Sequence, residues 1–123
     1  MKKFMAFTIA AISLLFMGNA LAHANKAKRG GVVQSAGNYT FELVRQNGSV
    51  IIYVEDHGNV LETVGATGSL TIFKGAQKKV LPLEAGIGNT LVAPGARLAD
   101  GSKAVASITF PNKSVIGVRF SID

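Results

Sequence analysis

Residues 39–55 read Tyr39-Thr40-Phe41-Glu42-Leu43-Val44-Arg45-Gln46-Asn47-Gly48-Ser49-Val50-Ile51-Ile52-Tyr53-Val54-Glu55. Over 39–44, Tyr39, Phe41 and Leu43 alternate with Thr40, Glu42 and Val44, the period of a strand whose two faces meet different surroundings. Asn47-Gly48 follows, and both residue types tolerate the positive φ that a tight hairpin demands. The chain returns over 50–55 with Val50, Ile52 and Val54 on one face and Ile51, Tyr53 and Glu55 on the other. This apolar content on both faces predicts a central strand. The stretch is therefore a β-hairpin, and its period excludes a helix.

The same pattern repeats outward. Asp56-His57-Gly58-Asn59 predicts the next turn. Leu70–Phe73 and Val80–Leu83 predict a second hairpin around Lys74-Gly75, with Pro82 at an edge or strand end because proline donates no hydrogen bond. Leu91-Val92 is stopped by Pro94-Gly95. Ala104–Phe110 and Val115–Ile122 pair across Pro111-Asn112-Lys113. Gly86-Ile87-Gly88-Asn89 has the look of a phosphate loop but lacks the helix that would follow one, so it reads as a tight turn. No helical periodicity appears after Ala22. The expectation is an all-β chain: one antiparallel β-sandwich or small barrel of about seven to nine strands.

Residues 1–22 read differently. Lys2 and Lys3 precede an apolar core from Phe4 to Phe16, which is broken by Gly18-Asn19 and followed by Ala20-Leu21-Ala22. That is the grammar of a cleaved signal peptide, with an apolar run too short to span a bilayer. Three segments follow: a signal helix over 1–22, a flexible N-terminal arm over 23–29 and a β-sandwich domain over 30–123. The implied compartment is the periplasm, with no membrane anchor in the mature form.

Composition narrows the chemistry. There are 13 basic and 7 acidic residues, and two of the basic ones, Lys2 and Lys3, lie in the leader. The remaining excess is mild and lacks the basic face with stacking aromatics that nucleic acid requires. Cysteine is absent, and Met1, Met5 and Met17 all lie in the leader, so sulfur ligands for a soft metal are missing from the mature chain. No serine lies in a Gly-x-Ser-x-Gly turn, and Glu42, Glu55 and Glu62 are dispersed, which argues against an enzyme.

Oxygen and imidazole donors remain. His57 follows Glu55 and Asp56 at a hairpin end. Cleavage after Ala22 would leave His23 first, with its α-amine and ring able to chelate Cu(II) as a histidine brace. His23, His57 and Asp56 therefore form the candidate metal site, for Cu(II) or another divalent ion held by a tetragonal N/O set.

From Gly30 to Phe120 the chain resembles small periplasmic proteins and domains associated with the adaptors of RND-type heavy-metal efflux systems, the copper/silver and cobalt/zinc/cadmium exporters. The resemblance is carried by Gly30-Gly31-Val32-Val33, Tyr39–Val44, Val54-Glu55-Asp56-His57-Gly58, Gly65–Thr71, Leu81-Pro82-Leu83, Asn89-Thr90-Leu91 and Val118-Arg119-Phe120. The family often shows His-Gly-Gly at its start. Here Arg29 precedes Gly30-Gly31, while Asp56-His57 matches. The resemblance implies an accessory protein of heavy-metal efflux that binds a divalent metal weakly or docks on an efflux adaptor or another envelope protein. The alternative is a metal-independent interaction or structural module, offering a sheet edge or apolar face to a protein partner.

Overall fold

The computed structural model describes residues 26–123, so the 1–22 leader and His23 lie outside the described residues. Nine antiparallel strands form one sheet: β1 (Val32–Ala36), β2 (Tyr39–Gln46), β3 (Ser49–Asp56), β4 (Asn59–Val60), β5 (Thr67–Lys74), β6 (Gln77–Ala85), β7 (Thr90–Pro94), β8 (Lys103–Thr109) and β9 (Val115–Ser121). No helix occurs among the described residues. The spatial order is β1-β2-β3-β7-β6-β5-β8-β9, with the short β4 beside the end of β3. β1 and β9 come alongside each other, so the sheet curls into a nearly closed barrel.

The hairpin chemistry follows the turn residues. Asn47 (φ 42°) and Gly48 (φ 78°) both take the left-handed conformation of a type I′ turn, and so do His57 (φ 52°) and Gly58 (φ 81°). In the β5–β6 hairpin the loop is Gly75-Ala76, one residue later than Lys74-Gly75. Only Gly75 has positive φ there (58°), as a type II′ turn requires, and Lys74 instead pairs with Gln77. Between β8 and β9, the Lys113 amide bonds back to the Phe110 carbonyl at 2.8 Å and Lys113 itself sits at φ 72°. This is the three-residue hairpin with its left-handed third position. Alternation marks neither β1 nor β4, since β4 has two residues and β1 reads Val-Val-Gln-Ser-Ala.

The alternating residues fill the interior. Phe41 and Leu43 of β2, Val50, Ile52 and Val54 of β3, Leu70 and Ile72 of β5, and Leu91 and Ala93 of β7 are buried. Ala104, Ala106 and Ile108 face them from β8, with Val118 and Phe120 from β9. Small side chains on β8 let the curled sheet close. Gly68 of β5 has no space for a side chain, since a Cβ there would lie 2.3 Å from the Ser107 carbonyl oxygen. β3 is the central strand expected, paired with β2 on one side and β7 on the other.

Candidate functional site

The Asp56-His57 turn closes one end of the β3 hairpin. The His57 amide donates to the Asn38 carbonyl at 3.0 Å, tying this turn to the neighbouring β1–β2 turn. The ring Nδ1 lies 2.6 Å from Asp56 Oδ1, and the His57 side chain is 66 % exposed. With the carboxylate accepting from Nδ1, the imidazole is oriented and Nε2 is left free toward solvent. Asp56 and His57 are thus hydrogen-bonded neighbours in this turn. Among the described residues, no cluster of three or more His, Cys, Asp or Glu side chains forms. The third member of the predicted set, His23, lies outside the described residues.

A carboxylate that the alternation does not single out is the best-held polar group nearby. Glu42 sits mid-strand in β2 and is only 4 % exposed. Its Oε2 accepts from the backbone amides of Arg29 (2.8 Å) and Gly31 (3.0 Å). Its Oε1 accepts from the Lys28 amide (3.2 Å) and Arg29 Nη1 (3.0 Å). Burial works to raise the Glu42 pKa. The three backbone donors and the Arg29 guanidinium outweigh that effect and bring it below the ordinary glutamate value.

The last residues of the arm are therefore anchored onto the outer face of β2 and β3. The Arg29 guanidinium lies 3.9 Å above the Tyr53 ring, and Lys28 Nζ meets Glu55 Oε2 at 2.8 Å. Gly31 has a direct reason to be glycine, because a Cβ there would come 2.3 Å from the Leu43 carbonyl oxygen. A groove of about 330 Å³ runs beside this clamp, bounded by Lys26, Arg29, Thr40, Tyr53, Glu55 and Gly58. The sequence signal for Glu42 was available: one acid inside the apolar run 39–44, preceded by Arg29-Gly30-Gly31, whose successive amides can cup an anion.

The Gly86–Asn89 segment is a tight turn, as read. Gly88 has φ 67°, and the Gly86 amide bonds to the Thr90 carbonyl at 2.8 Å. The buried Thr63 hydroxyl donates to the Thr90 carbonyl at 2.6 Å, and Asn89 Nδ2 donates to the Val54 carbonyl at 3.0 Å.

No protein-family model, curated protein or solved structure gives a match to this chain.

Proposed function

We propose that the chain is an exported accessory protein of heavy-metal efflux that receives a divalent ion weakly at the Asp56-His57 turn, with His23 completing the donor set. The supporting observation is the 2.6 Å contact between Asp56 Oδ1 and His57 Nδ1, which presents an oriented imidazole to solvent. Carboxylate-oriented imidazole with nitrogen and oxygen partners suits Cu(II) and Zn(II), and two described donors suit weak binding rather than a closed structural site.

The test is a Cu(II) and Zn(II) titration of the chain beginning at His23, followed by NMR. Saturable perturbation of the His57 ring that disappears in His57→Ala is expected. An unperturbed His57 ring under both metals rules the site out. One extra residue before His23 removes the brace and isolates its share.

The second reading is a metal-independent interaction module docking on an envelope protein. It is favoured by a separate feature, the unpaired edge of β6, which has its own ligand chemistry.

A further inference from the structure

The sheet is split along part of the boundary between β6 and β7. β7 pairs with β6 only at Glu84–Val92 and Ala85–Leu91. The Gly86 amide bonds to the Thr90 carbonyl, so hydrogen-bonded pairs on this boundary fall at 86/90 and 84/92. The next such pair in register would be Pro82 opposite Pro94. Neither residue has an amide hydrogen, so neither of the two bonds can form. Beyond this point β7 ends, Gly95 turns at φ 75°, and the chain leaves β6.

The first half of β6 is therefore an open edge among the described residues. A two-residue hairpin closes on a hydrogen-bonded pair, here Lys74–Gln77. Alternation then directs the Lys79 and Leu81 backbone groups toward β5 and those of Lys78 and Val80 away from it. Val80 is 58 % exposed. Next to this edge lies a cleft of about 640 Å³ with Ile72 in its wall. Lys74, Lys78, Lys79 and Arg97 line it, no Asp or Glu does, and none of the four cations has an ion-pair partner among the described residues.

We infer that this cleft binds an extended acidic segment of a partner protein, which adds as a strand to β6 through the Lys78 and Val80 backbone groups while its carboxylates meet Lys74, Lys78, Lys79 and Arg97. Two independent features select this occupant. The free backbone donors and acceptors ask for an extended peptide. The charge asks for acidic side chains. Lysines on an open edge also oppose pairing with a second copy of the same edge, which carries the same charge. The inference gives the interaction reading its surface and partner chemistry, and it does not depend on metal at His57.

The probe is a fluorescein-labelled peptide of about eight residues alternating Glu and Val, a strand-length acidic ligand. Binding to the chain beginning at His23 is followed by anisotropy and by amide NMR. Saturable binding is expected, weakening with salt, with the largest amide shifts at Lys78 and Val80. Val80→Pro removes one outward amide and leaves the β5 ladder intact. It is expected to weaken binding by about tenfold, as is N-methylation of alternate peptide residues, which keeps the protein unchanged should the proline variant misfold. Lys78→Glu with Arg97→Glu is expected to abolish binding, whereas His57→Ala leaves it unchanged.

Absence of peptide binding overturns the proposal. So does equal affinity for the N-methylated peptide, which would make the cleft a charge trap without strand addition. Binding of phosphatidylglycerol vesicles in place of the peptide would overturn it in favour of an anionic surface. Loss of peptide binding in His57→Ala would overturn the independence of the two sites.

Discussion

The Glu42 clamp and the β6 fork handle polar groups at the sheet surface in opposite ways. At the clamp, a buried carboxylate meets four donors from an incoming segment, and Gly31 brings that segment to contact distance. Every buried side-chain polar atom among the described residues has a partner. At the fork, two prolines stand where a backbone pair would close the sheet, and strand groups face solvent beside uncompensated lysines. The clamp spends its polar groups internally and gains rigidity, while the fork leaves them available. A charge that is desolvated and fully partnered stabilises structure, and one left open at an edge is ready for a ligand.

The sharpest way to break this contrast is to remove the clamp carboxylate. Glu42→Ala leaves three amides and the Arg29 guanidinium without their acceptor and is expected to cost about 3 kcal/mol in urea denaturation. A loss well under half of that would mean that the arm is not anchored in solution. Gly31→Ala comes next, because the new methyl must displace the Leu43 carbonyl, at a cost of about 2 kcal/mol. Gly30→Ala meets no neighbour and suffers only its φ of 72°, so about 1 kcal/mol is expected. If the two cost the same, close approach is not the reason for Gly31.

Proline scanning along β6 sharpens the other side. Lys79→Pro removes an amide that bonds β5 and is expected to cost about 2 kcal/mol more than Val80→Pro, whose amide faces outward. Equal thermal shifts for the two variants would show that the edge is paired.

Acid should act on the clamp and spare the fork. Because the folded pKa of Glu42 lies below its unfolded value, its contribution is present above the unfolded pKa and fades as pH falls through the folded one. The Lys28, Arg29 and Gly31 amides should lose hydrogen-exchange protection, measured against their intrinsic rates at each pH, across that window before the core opens. In Glu42→Gln the same amides should show no such pH dependence. The smallest effect belongs to the exposed turn: His57→Gly relieves a positive φ and removes no buried contact, so its stability should match the parent within about 0.5 kcal/mol. A larger change would reveal a structural role for His57.

Much of the fold was legible because it is local. Period-two alternation in 39–44 and 50–55 and the Asn47-Gly48 and His57-Gly58 turns depend on residues a few positions apart, and the structure repeats them. The Asp56-His57 pairing was legible for the same reason, since the residues are adjacent. Glu42 was legible only in part: a lone acid inside an apolar run stands out, but the donors that hold it are 11 to 14 residues away across the β1–β2 hairpin and its role depends on being buried there. β1 was obscured by its weak alternation, and its pairing with β2 is a tertiary event.

From its residues alone the chain declares a set of short antiparallel strands joined by glycine-bearing turns, because side-chain period and positive φ are properties of neighbours. Only the tertiary structure decided the strand order β3-β7-β6-β5, in which sequence neighbours β6 and β7 meet at one end and part at the other. The physical reason is register. Pro82 and Pro94 are unremarkable 12 residues apart in sequence, and become a break in the sheet only when folding sets them where two hydrogen-bond donors would have to stand.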